Sequence, residues 1–120
     1  MSRKRELVVR LENGEVVCDA CLLADTVPTR MRGLMGRRAL EPGSGLLLRP
    51  APSVHTFFMR FAIDVIFAAK DGTVVGLRKA LAPWRIAVAP RAFCVIELAA
   101  GSIERESIAV GDRLVVTKSD

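Results

Sequence analysis

The sequence predicts a mainly β domain, bordering on α+β: a compact β-barrel or β-sandwich of about seven or eight short strands, with one short helix near 27–38. Three observations predict it. Glycine or proline interrupts the chain every ten residues or so, a spacing that suits short strands. The runs between these breaks are rich in Val, Ile and Leu. Asn13-Gly14, Asp71-Gly72 and Gly111-Asp112 each stand between two such runs, where a tight reversal is needed.

The first pair of strands covers 6–11 and 15–23, joined at Asn13-Gly14, because both central residues of the favoured hairpin turn need positive φ. Thr26 then reads as a helix N-cap, with Pro28 tolerated in the first turn. Met31, Leu34 and Met35 share one face of the helix that follows, and Gly33 and Gly36 keep it short or closely packed. Further strands are expected at 45–48, 54–59, 63–69 and 73–82. Pro83 and Pro90 bracket a loop carrying Trp84, which is expected to close one end of the core. Residues 92–100 are apolar on both faces apart from Glu97 and read as a buried strand. Ser102 can cap a single turn at 103–106, and 113–118 supplies the last strand.

With 120 residues the chain fits one domain spanning 1–120, long enough to fill a core without disulfides or a structural metal. Its hydrophobic share of 51% excludes disorder. The net charge is +5, and arginine supplies most of the basic residues. Three cysteines and no recognisable leader point to a cytoplasmic location, and no run approaches the length of a membrane span, so no membrane is expected as a partner. Cys18 and Cys21 form a C-x-x-C, but in a regular strand residues three apart face opposite sides, which argues against redox chemistry. With Cys94 and His55 they could supply four metal ligands only against that geometry, so no metal and no cofactor is expected.

The stretches LADTVPTRMRGLMGRRAL (23–40), GLLLRP (45–50), VHTFFMRFAIDVIF (54–67), VIELAAG (95–101) and IAVGD (108–112) resemble, in order and spacing, the bacterial family called domain of unknown function 192 (DUF192). The resemblance covers about residues 20–116 and implies a single β-rich domain. It implies no particular activity. His55-Thr56-Phe57 stands where the family usually has a more aromatic pattern containing Lys or Asn.

Asp64 and Glu97 are the residues whose placement asks for chemistry. Each is an acid inside an apolar strand, where an ionised group costs several kcal/mol unless paired and hydrogen-bonded. The partners available by type are Arg30, Arg32, Arg60 and His55, the single histidine. The first expectation is a pocket for a small polar ligand made by His55, Arg60, Asp64 and Glu97, bordered by Arg30 and its helix. The bland alternative is a buried salt bridge, or acids bonded to backbone N–H groups at turns. The same residues would serve a small acid–base enzyme. A third reading is nucleic-acid or acidic-partner binding through the Arg30–Arg38 face. Nucleic acid is the less expected partner, since Phe57 and Phe58 would alternate faces of a strand and expose at most one ring.

Overall fold

The computed structural model describes residues 6–32 and 34–119, without the side chains of Val27, Met31 and Arg32, so the expected Met31 face and any role of Arg32 lie outside the described residues. In chain order the strands are β1 (Glu6–Leu11), β2 (Val16–Ala24), β3 (Ser44–Leu48), β4 (Ser53–His55), β5 (Ile63–Ala68), β6 (Val74–Leu81), β7 (Ile86–Val88), β8 (Cys94–Ala99) and β9 (Leu114–Lys118). Helix α1 (Val27–Arg32) follows β2, and α2 (Ser102–Arg105) follows β8. No described helix is long and apolar enough to cross a membrane.

Seven strands form one sheet in the order β6-β5-β8-β3-β2-β1-β9, and β4 pairs with β7 in a separate two-stranded sheet. All neighbours in the large sheet are antiparallel except β2 and β3. The parallel pair needs a long connection, which is where α1 and residues 34–43 lie. The large sheet curls until the start of β6 touches the start of β9. Thr73 bridges Arg113, Val74 N–H donates to Asp112 O at 2.8 Å, and Leu114 N–H donates to Gly72 O at 2.8 Å. The fold is thus a half-barrel covered on one side by a small second sheet.

The strands β5 and β8 are buried at every position, because both faces of the large sheet are covered. The concave face holds one core, with Val9, Leu47, Ile66, Ile96, Leu98, Ile103 and Leu114 among its members. The convex face holds a second, in which Leu46, Val65, Phe67 and Val95 pack under Leu34, Val54, Met59 and Ala87. Thr26 caps α1 as expected, its Oγ1 accepting from Thr29 N–H at 3.3 Å. The helix ends at Arg32 rather than near 38, and residues 34–36 are turn.

Gly72 makes the closure possible. Its φ is +95°, and a Cβ there would sit 2.3 Å from Leu114 O. Gly72→Ala is expected to destabilise the fold by about 2–4 kcal/mol, adding a backbone clash to left-handed strain. Gly14→Ala is the control: φ is +97° there but nothing lies within 4 Å, so strain alone acts. Urea denaturation should separate the two; equal losses would show that the seam does not depend on close approach.

Candidate functional site

Asp64 lies on β5 opposite an irregularity in β6. Ile63 pairs with Leu81 and Val65 with Arg78, so β6 carries an extra residue against Asp64. That bulge includes Ala80, at φ +50°. Asp64 is only 1% exposed, and its carboxylate accepts three backbone N–H groups: Ala80 at 2.9 Å on Oδ1, then Gly101 at 3.1 Å and Ile103 at 2.8 Å on Oδ2. Its compensation comes from main-chain donors at two turns. It makes no ion pair with Arg30, Arg60 or His55, the side chains the sequence offered.

Glu97 lies on the neighbouring strand, yet on the other face. β5 and β8 pair Val65 with Glu97 and Asp64 with Leu98, and adjacent residues of a strand point to opposite sides. Asp64 therefore shares the concave face with Ile66 and Leu98, whereas Glu97 shares the convex face with Val65 and its other pairing partner, Leu46. Glu97 is also 1% exposed. Its Oε1 is sealed from solvent and has no hydrogen-bond partner among the described residues. Burial pushes its carboxyl up to about 8. The expectation that a cation would meet it fails for a physical reason: a carboxyl in an apolar setting can take up a proton instead.

The other expected site residues are dispersed. Arg30 is half-buried, its guanidinium donating to Asp25 O at 3.0 Å and Arg49 O at 3.5 Å. Arg60 is exposed. His55 ends β4, and its Nδ1 accepts from Phe57 N–H at 3.2 Å. The expected pocket shared by Asp64, Glu97, His55 and Arg60 is not formed, since the two acids occupy opposite sides of one sheet. The continuous Arg30–Arg38 helical face is not formed either, because Arg37 and Arg38 lie beyond the end of α1.

Thr56 is what the sequence reading missed. It is fully buried, donates from Oγ1 to Ala82 O at 2.7 Å and accepts from Arg85 N–H at 2.8 Å. Its carbonyl accepts from Trp84 N–H at 2.9 Å and Met59 N–H at 3.2 Å. These bonds tie the 56–59 turn to the 82–85 turn, and each turn holds an aromatic residue at positive φ: Phe58 at 64° and Trp84 at 63°. Trp84 is 55% exposed, so it does not close the core, and Phe58 and Phe57 both reach it, at ring distances of 4.7 and 5.8 Å. The run 54–59 is thus not one strand, and the expected alternation of Phe57 and Phe58 does not apply. The available signal was the pair of prolines around Trp84, which breaks regular structure on both sides.

Cys18 and Cys21 depart from the regular-strand expectation as well. β1 pairs Leu7 with Cys21 but Val9 with Cys18, and this β-bulge turns both thiols to the concave core. The interaction between these two thiols lowers Cys18 and raises Cys21, while burial raises Cys94. All three thiols are free and buried. Among the described residues no group of three or more His, Cys, Asp or Glu is placed to hold a metal ion. Two open cavities, of about 730 Å³ beside Glu12, Glu106 and Asp112 and about 350 Å³ beside Arg49, Lys70 and Cys94, lie away from both buried carboxyls.

The family profile of DUF192, described as "Uncharacterized ACR", matches residues 8–116. The chain is similar to a UPF0127 protein of Pyrococcus furiosus, 44% identical over 95 residues that cover 76% of this chain and 81% of the relative. A UPF0127 protein of Thermococcus sibiricus is 34% identical over 118 residues, covering 90% of this chain and 73% of the relative. Both relatives are archaeal, so the resemblance is not confined to bacteria. Among solved structures, a candidate transcription regulator from Sinorhizobium meliloti superposes with a TM-score of 0.81 at 27% identity, covering 95% of this chain and 94% of the other. A protein of unknown function from Novosphingobium aromaticivorans gives a TM-score of 0.79 at 23% identity, with 92% and 83% covered, and shares the fold.

Proposed function

The chain belongs to the DUF192 family, and from that starting point we propose that it is a small-ligand-binding domain whose ligand-facing group is Glu97. The observation that supports this reading is the sealed Oε1, which has no hydrogen-bond partner among the described residues. A buried polar atom without a partner costs about 1–3 kcal/mol and is rare in folded proteins. Groups held at such a cost cluster at functional sites. A protonated carboxyl can both donate and accept. The ligand class that fits is therefore a small polar molecule that offers an N–H or O–H donor to Oε1. Reaching it requires movement of the layer that carries Leu34, Val54 and Met59 over the convex face.

Binding is favoured over acid–base catalysis because the second buried carboxyl, Asp64, faces the other side of the sheet and is already saturated by backbone donors. A two-carboxylate mechanism has only one of its two groups on this face.

A thermal-shift screen of small amides, alcohols and amines tests the reading, followed by calorimetry on any compound found. Glu97→Met keeps the length and apolar packing of the side chain but removes the oxygen. Compounds that bind the parent should bind this variant at least about tenfold more weakly, the worth of one good hydrogen bond in a sealed site. Glu97→Gln should retain part of the affinity. If every compound binds parent and Glu97→Met alike, or none of these classes binds the parent, Glu97 is not a ligand contact and the reading fails.

A further inference from the structure

Four of the seven exposed large hydrophobic residues among those described lie on one ridge: Phe58 at 61% exposure, Trp84 at 55%, Ile86 at 63% and Val88 at 51%. The topology makes the ridge continuous. Ile86 and Val88 alternate with buried Ala87 along β7, and Ile86 pairs with His55 of β4. The His55 ring lies 5.0 Å from Phe57, which joins the Trp84 cluster. Monomeric proteins rarely expose so contiguous an apolar strip without a use for it.

The segments that build the ridge, 42–63 and 72–96, carry only basic charges of their own, although Glu104 of α2 pairs with Lys79 at 3.8 Å. They place Arg60, Arg85 and Arg91 on the surface. A second copy of the chain would bring these arginines against their own kind. Single-stranded nucleic acid needs open ring faces for stacking. Here Phe58 lies 4.7 Å from Trp84 at 58°, so the rings pack on one another, and Ile86 and Val88 add aliphatic surface that bases do not use. A tryptophan-centred apolar strip rimmed by arginines fits the boundary of a bilayer with anionic headgroups.

We propose that the ridge formed by Phe58, Trp84, Ile86 and Val88, with Arg60, Arg85 and Arg91 beside it, is a docking surface for an anionic lipid bilayer. The contact is peripheral: the apolar side chains enter the headgroup boundary and the guanidinium groups meet phosphate or carboxylate. No spanning segment is needed, which is where this departs from the sequence-based expectation of no membrane contact. The surface is distinct from Glu97 and does not depend on the ligand reading.

Trp84 is the single tryptophan and there is no tyrosine, so its emission reports on the ridge directly. Emission should move to the blue on addition of vesicles containing about one-third phosphatidylserine in phosphatidylcholine, should barely move with phosphatidylcholine alone, and should return in high salt. Phe58→Asn tolerates the left-handed backbone, and Ile86→Thr keeps strand propensity; each should weaken partitioning by about tenfold or more. Arg60→Glu with Arg85→Glu should abolish it, and Glu97→Met should not change it. Circular dichroism on each variant confirms that the fold persists. The proposal is overturned by an unmoved emission spectrum, by equal shifts on neutral and anionic vesicles, or by a response to an oligothymidylate in place of vesicles.

Discussion

Glu97→Met is expected to be more stable than the parent, by a margin that grows with pH. The Glu97 carboxyl is pushed up to about 8 in the folded chain, from an ordinary value of 4.5. Its contribution is complete below the unfolded value, where both states hold the proton. As pH rises, the unfolded chain releases that proton first, and the contribution falls by about 1.4 kcal/mol per pH unit until the folded value is passed. Between pH 4.5 and 8 the parent should lose on the order of 4–5 kcal/mol that the methionine variant keeps. Urea denaturation of both proteins from pH 5 to pH 9 measures the difference, and other titrating groups cancel in it. Parallel stability curves would mean that Glu97 finds a partner in solution and is not held neutral.

The variant should also gain at low pH, since an unsatisfied oxygen is replaced by apolar atoms of similar length. Glu97→Gln separates the two effects: it removes the pH dependence but keeps a buried polar group. A stability profile that flattens in Gln and rises further in Met would fit a carboxyl retained against the interest of the fold. That pattern is characteristic of functional positions, where a locally unfavourable group is offset by packing elsewhere.

The two buried acids also show how far a sequence can be read. Their embedding in apolar strands is plain from FAIDVIF and CVIELAA, and the strands form where expected at Ile63–Ala68 and Cys94–Ala99. Which face each acid takes is a different matter. It follows from the pairing of Val65 with Glu97, a long-range register that no local pattern encodes. The turns at Asn13-Gly14, Asp71-Gly72 and Gly111-Asp112 were legible because positive φ selects glycine, and each of those glycines has it. Only the facing of Cys18 and Cys21 departs from the expectation, because period-two alternation assumes an unbroken ladder and a bulge sits between Leu7 and Val9 of the partner strand. Residues Ile86–Val88 make too short a strand to stand out between two prolines. The ridge was hidden for a related reason: Thr56 ends β4 early by bonding across to Ala82 and Arg85, contacts set by tertiary structure. The membership of DUF192 was readable from ordered motifs, whereas the site depends on faces and registers.

Asp64→Ala should cost more than any other single change considered. One carboxylate satisfies three main-chain donors, from Ala80 on β6 and from Gly101 and Ile103 at the start of α2. Hydrogen bonds to a charged group contribute about 1.5–3 kcal/mol each, and removing the acceptor leaves buried N–H groups unpaired. The expected loss is on the order of 5 kcal/mol, a large part of the 5–15 kcal/mol that holds a typical domain together. Asp64→Asn, which retains one carbonyl oxygen but turns an amide toward donors, should lose roughly half as much. Because the alanine variant can fail to fold, the asparagine variant carries the test, with hydrogen exchange as the readout. Protection should drop at Ala80, Gly101 and Ile103 together, although Ala80 lies on a different element from the other two. Loss at only one of these amides, or a cost below about 1 kcal/mol, would show that Asp64 is not the joint between the β6 bulge and α2. The contrast with Glu97 then rests on donor count: a carboxylate given three N–H groups stabilises the fold, whereas the Oε1 of Glu97 has no partner among the described residues and burial pushes its carboxyl up.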